Sequence, residues 1–245
     1  LVGLGTIVNT IAVIIGGGAG LLIKHGLKAR FQEILLQALG LSVLFVGIAG
    51  GLRGLLKVNA NILETDNTLL MIASLVLGAL LGEWWRLEAR LNSVGERLKS
   101  LAKARDEDSR FVEGFVTTTV IICVGAMAIV GPIQDALARD PSMLYAKSAL
   151  DGIICMILAS GHGAGVLFAA LPMALYQGTI TLLAGMIEPY LSDIIIFNLS
   201  FVGSLMICCI GINMLWKTKI RVANFLPALP VAVLISVVSD LFQAS

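Results

Sequence analysis

Apolar and charged positions in this chain come in long blocks, not in alternation. Apolar runs close to the length of about twenty residues needed to cross a bilayer are separated by short charged clusters. The pattern predicts helices over about 2–23, 32–53, 68–86, 111–133, 146–160, 166–187, 193–215 and 222–243. The most informative run lies between Ala149 and Ile187, thirty-nine residues whose only acidic or basic side chains are Asp151 and His162. As a single helix it would be roughly 58 Å long, against a hydrocarbon core of about 30 Å. It is therefore predicted to cross twice. The stretch Ser160-Gly161-His162-Gly163-Ala164-Gly165 at its centre marks where the chain turns or unwinds.

Charge placement supports two crossings there. Lysine and arginine collect in loops that stay cytoplasmic. Lys24, Lys28 and Arg30 follow the first helix, and Lys217, Lys219 and Arg221 follow the seventh. Arg86, Arg90, Arg97, Lys99, Lys103, Arg105 and Arg110 follow the third. These fall on one side only if Ala149–Ile187 counts as two helices, which gives eight crossings with both termini outside. The first apolar run lacks a basic leader, so it reads as a retained helix and not as a signal peptide. Trp84 and Trp85 suit a headgroup boundary. Beyond them Leu87, Leu91, Val94, Leu98 and Leu101 recur at helical spacing, so residues 87–110 read as a cytoplasmic amphipathic linker within a single membrane domain, 1–245.

Composition agrees. Hydrophobic residues make up 58% and charged residues 13%, about half the charged share of a soluble domain, so lipid must cover part of the surface. The formal net charge of +1 gives no reason to expect a nucleic-acid partner. Cys123, Cys155, Cys208 and Cys209 all lie in apolar runs without metal or redox spacing and read as buried thiols.

Two segments resemble each other. Gly5-Thr6-Ile7 recurs as Gly178-Thr179-Ile180, and Phe45-Val46-Gly47-Ile48 has a counterpart in Cys209-Ile210-Gly211-Ile212. The copies are five helices apart, an odd number, so helices 1–3 and 6–8 would be inverted repeats, an architecture of secondary transporters. Glycines four apart (Gly16/Gly20, Gly47/Gly51, Gly78/Gly82 and Gly161/Gly165) suit close helix packing, within the chain or in a homo-oligomer.

Ionisable groups at membrane depth need a partner or a purpose. Asp151 has Lys147 four residues before it, which reads either as a pair reaching the outer surface or as part of a cation or proton site. Glu113 opens the fourth helix ahead of Thr117, Thr118 and Thr119. Asn9, Gln177 and Asn213 place amides in the helices of the two similar segments. Ser160 and His162 belong to the glycine-rich break, which reads as a cytoplasmic turn or as a site. Pro172 predicts a kink or an open carbonyl in the sixth helix. No HExxH, GxSxG or paired intramembrane aspartate is present, so no catalytic residue, metal or cofactor is expected.

The chain resembles the bacterial membrane-protein family of unknown function typified by YqgA and YdfK. The resemblance rests on Gly3-Leu4-Gly5-Thr6-Ile7-Val8-Asn9-Thr10, on Phe111-Val112-Glu113-Gly114-Phe115 leading to Gly125-Ala126-Met127-Ala128-Ile129-Val130-Gly131-Pro132-Ile133-Gln134-Asp135, on Lys147-Ser148-Ala149-Leu150-Asp151-Gly152, and on Ile220-Arg221-Val222-Ala223-Asn224-Phe225-Leu226-Pro227. It implies a protein of the bacterial cytoplasmic membrane and supplies no substrate. The sequence thus leads to an all-α transmembrane bundle that moves a small solute or ion. Asp151 and Glu113 are its coupling carboxylates, and Asn9, Gln177 and Asn213 line the path, with Ser160 and His162 at the break. A non-transporting scaffold and an ion channel are the alternatives.

Overall fold

The computed structural model describes residues 2–26, 28–59, 62–102, 110–125, 127–216 and 218–243. Lys103, Arg105 and Lys217 of the basic clusters, and Ala126 of the resemblance, lie outside that set. The fold is an all-α polytopic bundle: α1 Leu4–Gly26, α2 Ala29–Leu55, α3 Thr68–Trp85, α4 Leu87–Leu101, α5 Phe111–Cys123, α6 Met127–Leu137, α7 Ser142–His162, α8 Gly165–Phe168, α9 Ala170–Ile187, α10 Asp193–Trp216 and α11 Ala228–Gln243. A hairpin that the apolar pattern did not predict follows α2. In it β1 (Leu56–Asn59) pairs antiparallel with β2 (Ile62–Thr65), Leu56 opposite Thr65.

Among the described residues, six stretches are long and apolar enough to cross a membrane: Leu4–Ile23, Arg30–Leu55, Thr68–Trp85, Ser142–His162, Gly165–Ile187 and Asp193–Trp216. The Ala149–Ile187 run spans most of Ser142–His162 and the whole of Gly165–Ile187. The remaining predicted crossings correspond to the pair α5–α6 and to the shorter apolar stretch Val222–Val238. The expected continuous helix over 111–133 is replaced by α5 and α6, bent by 57° at a short break. Gly125 in the break has φ +116°, which ends the helical path, and Pro132 removes an amide donor within α6.

The chain packs as two compact units. The first comprises residues 1–39 and 89–188. Its tightest pair is α1 and α7, which run parallel: Gly16 faces the Gly152 carbonyl and Gly20 the Met156 carbonyl, so closely that a side chain at either would strike backbone. α9 runs antiparallel to α1, with Thr6 beside Thr181, Asn9 beside Gln177 and Gly17 beside Leu167 of α8. α7 ends at His162, where Gly163 adopts φ +85°. Pro172, expected to kink a helix, instead sits in the first turn of α9, where its missing N–H has no intrahelical partner to lose. α5 docks on the α7–α8 break, with Gly114 against the His162 side chain, Gly165 against the Phe111 carbonyl, and Phe111 and Phe168 ring centroids 5.4 Å apart.

The second unit comprises residues 40–88 and 189–245. Here α2 and α10 run antiparallel and meet through reciprocal contacts, Gly47 on Cys208 and Gly211 on Leu44. α3 packs on α11 and on the short 3₁₀ segment Val222–Phe225, Gly78 meeting Ala228 and Gly82 meeting Asn224. Trp84 and Trp85 are exposed at the end of α3. Polar groups knot this end together. Glu83 accepts from Arg221 and from the Asn224 amide, both at 2.7 Å. Asn224 Oδ1 accepts the Glu88 N–H at 2.8 Å, and Glu88 accepts the Ala223 N–H at 3.0 Å. Partial burial holds the Glu88 carboxyl above the ordinary glutamate range, against the opposing pull of the Ala223 N–H and Arg221.

Candidate intramembrane polar site

Helix α7 sets the depth of its polar residues. The sequence places its start at 146, near Lys147; the structure starts it at Ser142. Asp140 organises that start, its Oδ1 accepting the Ser142 N–H at 3.0 Å and also the Ser142 hydroxyl. Asp151 therefore lies nine residues from one end of α7 and eleven from the other, about 14 and 17 Å along the axis. That is the middle of a span. Both Asp151 (4% exposed) and Lys147 (6%) are buried, so the pair does not reach outward as one reading of the sequence had it.

Four polar side chains and Met173 converge here. Lys147 Nζ lies 3.0 Å from Asp151 Oδ1 and 2.9 Å from Oδ2. From α1, the Asn9 amide donates to Asp151 Oδ2 at 3.0 Å and also lies 3.4 Å from Gln177 Oε1 and 3.3 Å from Met173 Sδ, both on α9. Asn9, Met173 and Gln177 are fully buried. One helical turn away, Thr6 and Thr181 hydroxyls stand 3.5 Å apart. The glycine contacts between α1 and α7 bring Asn9 within reach of Asp151. The antiparallel course of α9 adds Gln177 at the same level. Two polar atoms of the cluster, Asn9 Oδ1 and Gln177 Nε2, have no hydrogen-bond partner.

The structure thus gathers Asp151, Asn9 and Gln177 and adds Lys147 to them. Glu113 and His162 form a separate pair, His162 Nε2 to Glu113 Oε1 at 3.7 Å, an ion-pair separation when the imidazole is protonated. His162 is buried, with Nδ1 unpartnered, whereas the Glu113 side chain is largely exposed. Ser160 donates to the Ile157 carbonyl of its own helix at 2.7 Å. Asn213 belongs to the second unit, where it closes the connector after α10, accepting from the Ile220 N–H and Thr218 hydroxyl and donating to the Ile220 carbonyl.

Sequence reasoning missed Asp135. It is buried near the end of α6, and its Oδ2 accepts the Gly5 N–H at 2.9 Å, across 130 positions. A carboxylate there satisfies a free amide at the start of α1 and suits its dipole. The available signal was its place in an apolar context, eight residues after Met127. The bond to α1 itself was invisible.

The sequence signature of the family described as "Protein of unknown function (DUF554)" matches residues 4–237. The chain belongs to this family. It is 32% identical over 225 residues to the uncharacterized membrane protein YdfK of Bacillus subtilis (strain 168), covering 92% of each chain. It is 29% identical over 236 residues to the uncharacterized protein YqgA of Escherichia coli (strain K12), covering 95% of this chain and 96% of that one. No solved structure matches. Together with the apolar helices, the relationship makes this a membrane protein.

Proposed function

We infer that the protein is a secondary transporter or exporter of a small solute or ion, sited in a bacterial cytoplasmic membrane with both termini outside. One observation carries the reading: a buried Lys147–Asp151 ion pair, hydrogen-bonded by Asn9 beside Gln177, at the middle of a membrane-crossing helix. Desolvating two charges costs several kcal/mol per ion, and replacing such a pair by apolar side chains is often neutral or stabilising. Ionisable residues at this depth mark solute pathways and proton relays.

The packing supports an inverted repeat. The first helices of the two similar segments, α1 and α9, run antiparallel and carry Asn9 and Gln177 at their contact. The second helices, α2 and α10, run antiparallel through Gly47 and Gly211, the glycines that correspond in the two segments. Solute sites of inverted-repeat transporters lie at the repeat interface near the midplane. Asp151 and Glu113 are then the coupling carboxylates, Glu113 standing beside His162. The scaffold alternative draws less support, because most of the spaced glycines are taken up by contacts inside the chain.

The test is solute-driven ion movement in proteoliposomes carrying trapped pH- and sodium-sensitive dyes. The liposomes are challenged in turn with pools of organic acids, amines, amino acids and inorganic ions. At least one pool is expected to move protons or sodium, with a tenfold or greater loss in Asp151→Asn. No response to any pool, or an unchanged response in that variant, overturns the reading.

A further inference from the structure

The charge balance of the Asn9–Lys147–Asp151–Gln177 cluster restricts what it can take in. Lys147 faces both oxygens of the Asp151 carboxylate, so the pair carries no net charge. A bound monovalent cation would leave one positive charge unpaired at membrane depth, and a bound anion one negative charge. Either is costly there. A ligand carrying one charge of each sign leaves the balance at zero.

The two unpartnered atoms match that ligand. A carboxylate can only accept, so the Asn9 NH₂ must face Asp151. That NH₂ in turn requires the Gln177 oxygen. The orientations of both amides are fixed in this way, leaving Asn9 Oδ1 as an unused acceptor and Gln177 Nε2 as an unused donor. The cluster therefore offers an anion with a spare acceptor nearby and a cation with a spare donor nearby. Met173 and Cys155 are both fully buried, the Met173 sulfur 3.3 Å from the Asn9 amide nitrogen.

We propose that this cluster binds a small zwitterion of the amino-acid class, its ammonium on Asp151 and Asn9 Oδ1 and its carboxylate on Lys147 and Gln177 Nε2. The proposal rests on reading the cluster as a solute site. Binding replaces one internal ion pair by two, while the net charge of the enclosed groups stays at zero. Opening the Lys147–Asp151 pair is thus offset by the ligand's own charges, and only a ligand bearing both can do this.

Thermal unfolding of the purified full chain in detergent tests it. Glycine, L-alanine and L-serine are compared with ethylamine, propionate and propionamide, which keep one charge of alanine or neither. The zwitterions are expected to raise the unfolding midpoint saturably, and the three counterparts to leave it unmoved. The zwitterion effect is expected to vanish in Lys147→Gln/Asp151→Asn, which keeps the site neutral. The ligand panel on the unaltered protein decides the matter even if that variant does not fold. An equal shift with ethylamine, propionate or propionamide, or no shift with any zwitterion, overturns the proposal. A zwitterion that binds without any pool moving ions in liposomes would sink transport and leave this site standing. Ion movement driven by another pool, without zwitterion binding, would do the reverse.

Discussion

Removing one member of a buried ion pair strands the other, and the cost then exceeds the worth of the pair. At Lys147 and Asp151 this predicts strong non-additivity. Lys147→Gln and Asp151→Asn should each lower stability by about 3–5 kcal/mol, because each leaves an uncompensated charge. The double variant should recover most of that loss, since two neutral amide side chains need only hydrogen bonds. Unfolding of the four proteins in detergent, read as a double-mutant cycle, checks it. Additive losses would mean that the two charges do not face each other. At this scale the sequence was partly legible. The four-residue spacing announced the pair, but its depth was not readable. Lys147 looked like the edge of a span because lysine usually is. The turn that precedes it, Ser142 to Tyr145, is apolar enough to lengthen the helix once Asp140 fixes its start. Asp135 was less legible still, since a carboxylate near a helix end gives no hint that its partner is an amide at the far end of the chain.

Among the helices, spacing of small residues told more than hydrophobicity. The apolar pattern located the spans, but it could not say which neighbour each would choose, because lipid and protein are equally apolar. The glycines did say. Gly16 abuts the Gly152 backbone of α7, whereas Gly18, two positions on, has nothing within 4 Å of where a side chain would begin. Gly16→Val should therefore separate α1 from α7 and destabilise by about 3 kcal/mol or more, beyond the usual cost of overpacking. Gly18→Ala should be neutral or stabilising by up to about 1 kcal/mol, since alanine is the better helix former. Unfolding midpoints of the two variants, measured side by side, distinguish this from a general sensitivity of α1 to bulk. What the pattern could not show was the break between α5 and α6. Val124 to Met127 is as apolar as its surroundings, and only the backbone angle at Gly125 reveals the bend.

For the whole molecule, the parallel course of α1 and α7 and the antiparallel course of α9 agree with the alternation inferred from lysine and arginine. That alternation predicts that the start of α1, the Glu188 connector and the end of α11 lie on one side of the membrane, and Arg221 on the other. Single cysteines at these positions, in a background without Cys123, Cys155, Cys208 and Cys209, should label accordingly with an impermeant maleimide in oriented vesicles. The end of α11 is the decisive site. If it labels from the same side as Arg221, the Val222–Val238 stretch fails to cross, and the count drops to seven. The chain's class was open to reading from sequence. The composition of its polar centre was not, because that centre joins α1 to α7 and α9, which lie more than a hundred residues further along the chain.

The pairing of Lys147 with Asp151 inside one helix also bears on how the protein reaches the membrane. α7 is the least apolar of the six spans. A lysine and an aspartate at the centre of an inserting helix each oppose entry by roughly 2.5–3.5 kcal/mol. Had the two charges come from different helices, each would have had to enter lipid alone and wait for its partner. Placed one turn apart, they neutralise each other as soon as that turn forms. By then α1 has already been synthesised, so the Asn9 amide is in place to receive the carboxylate when α7 arrives. The same pair that suits a zwitterion in the finished protein is, during synthesis, a self-contained passenger that needs no helper to cross the threshold of the bilayer.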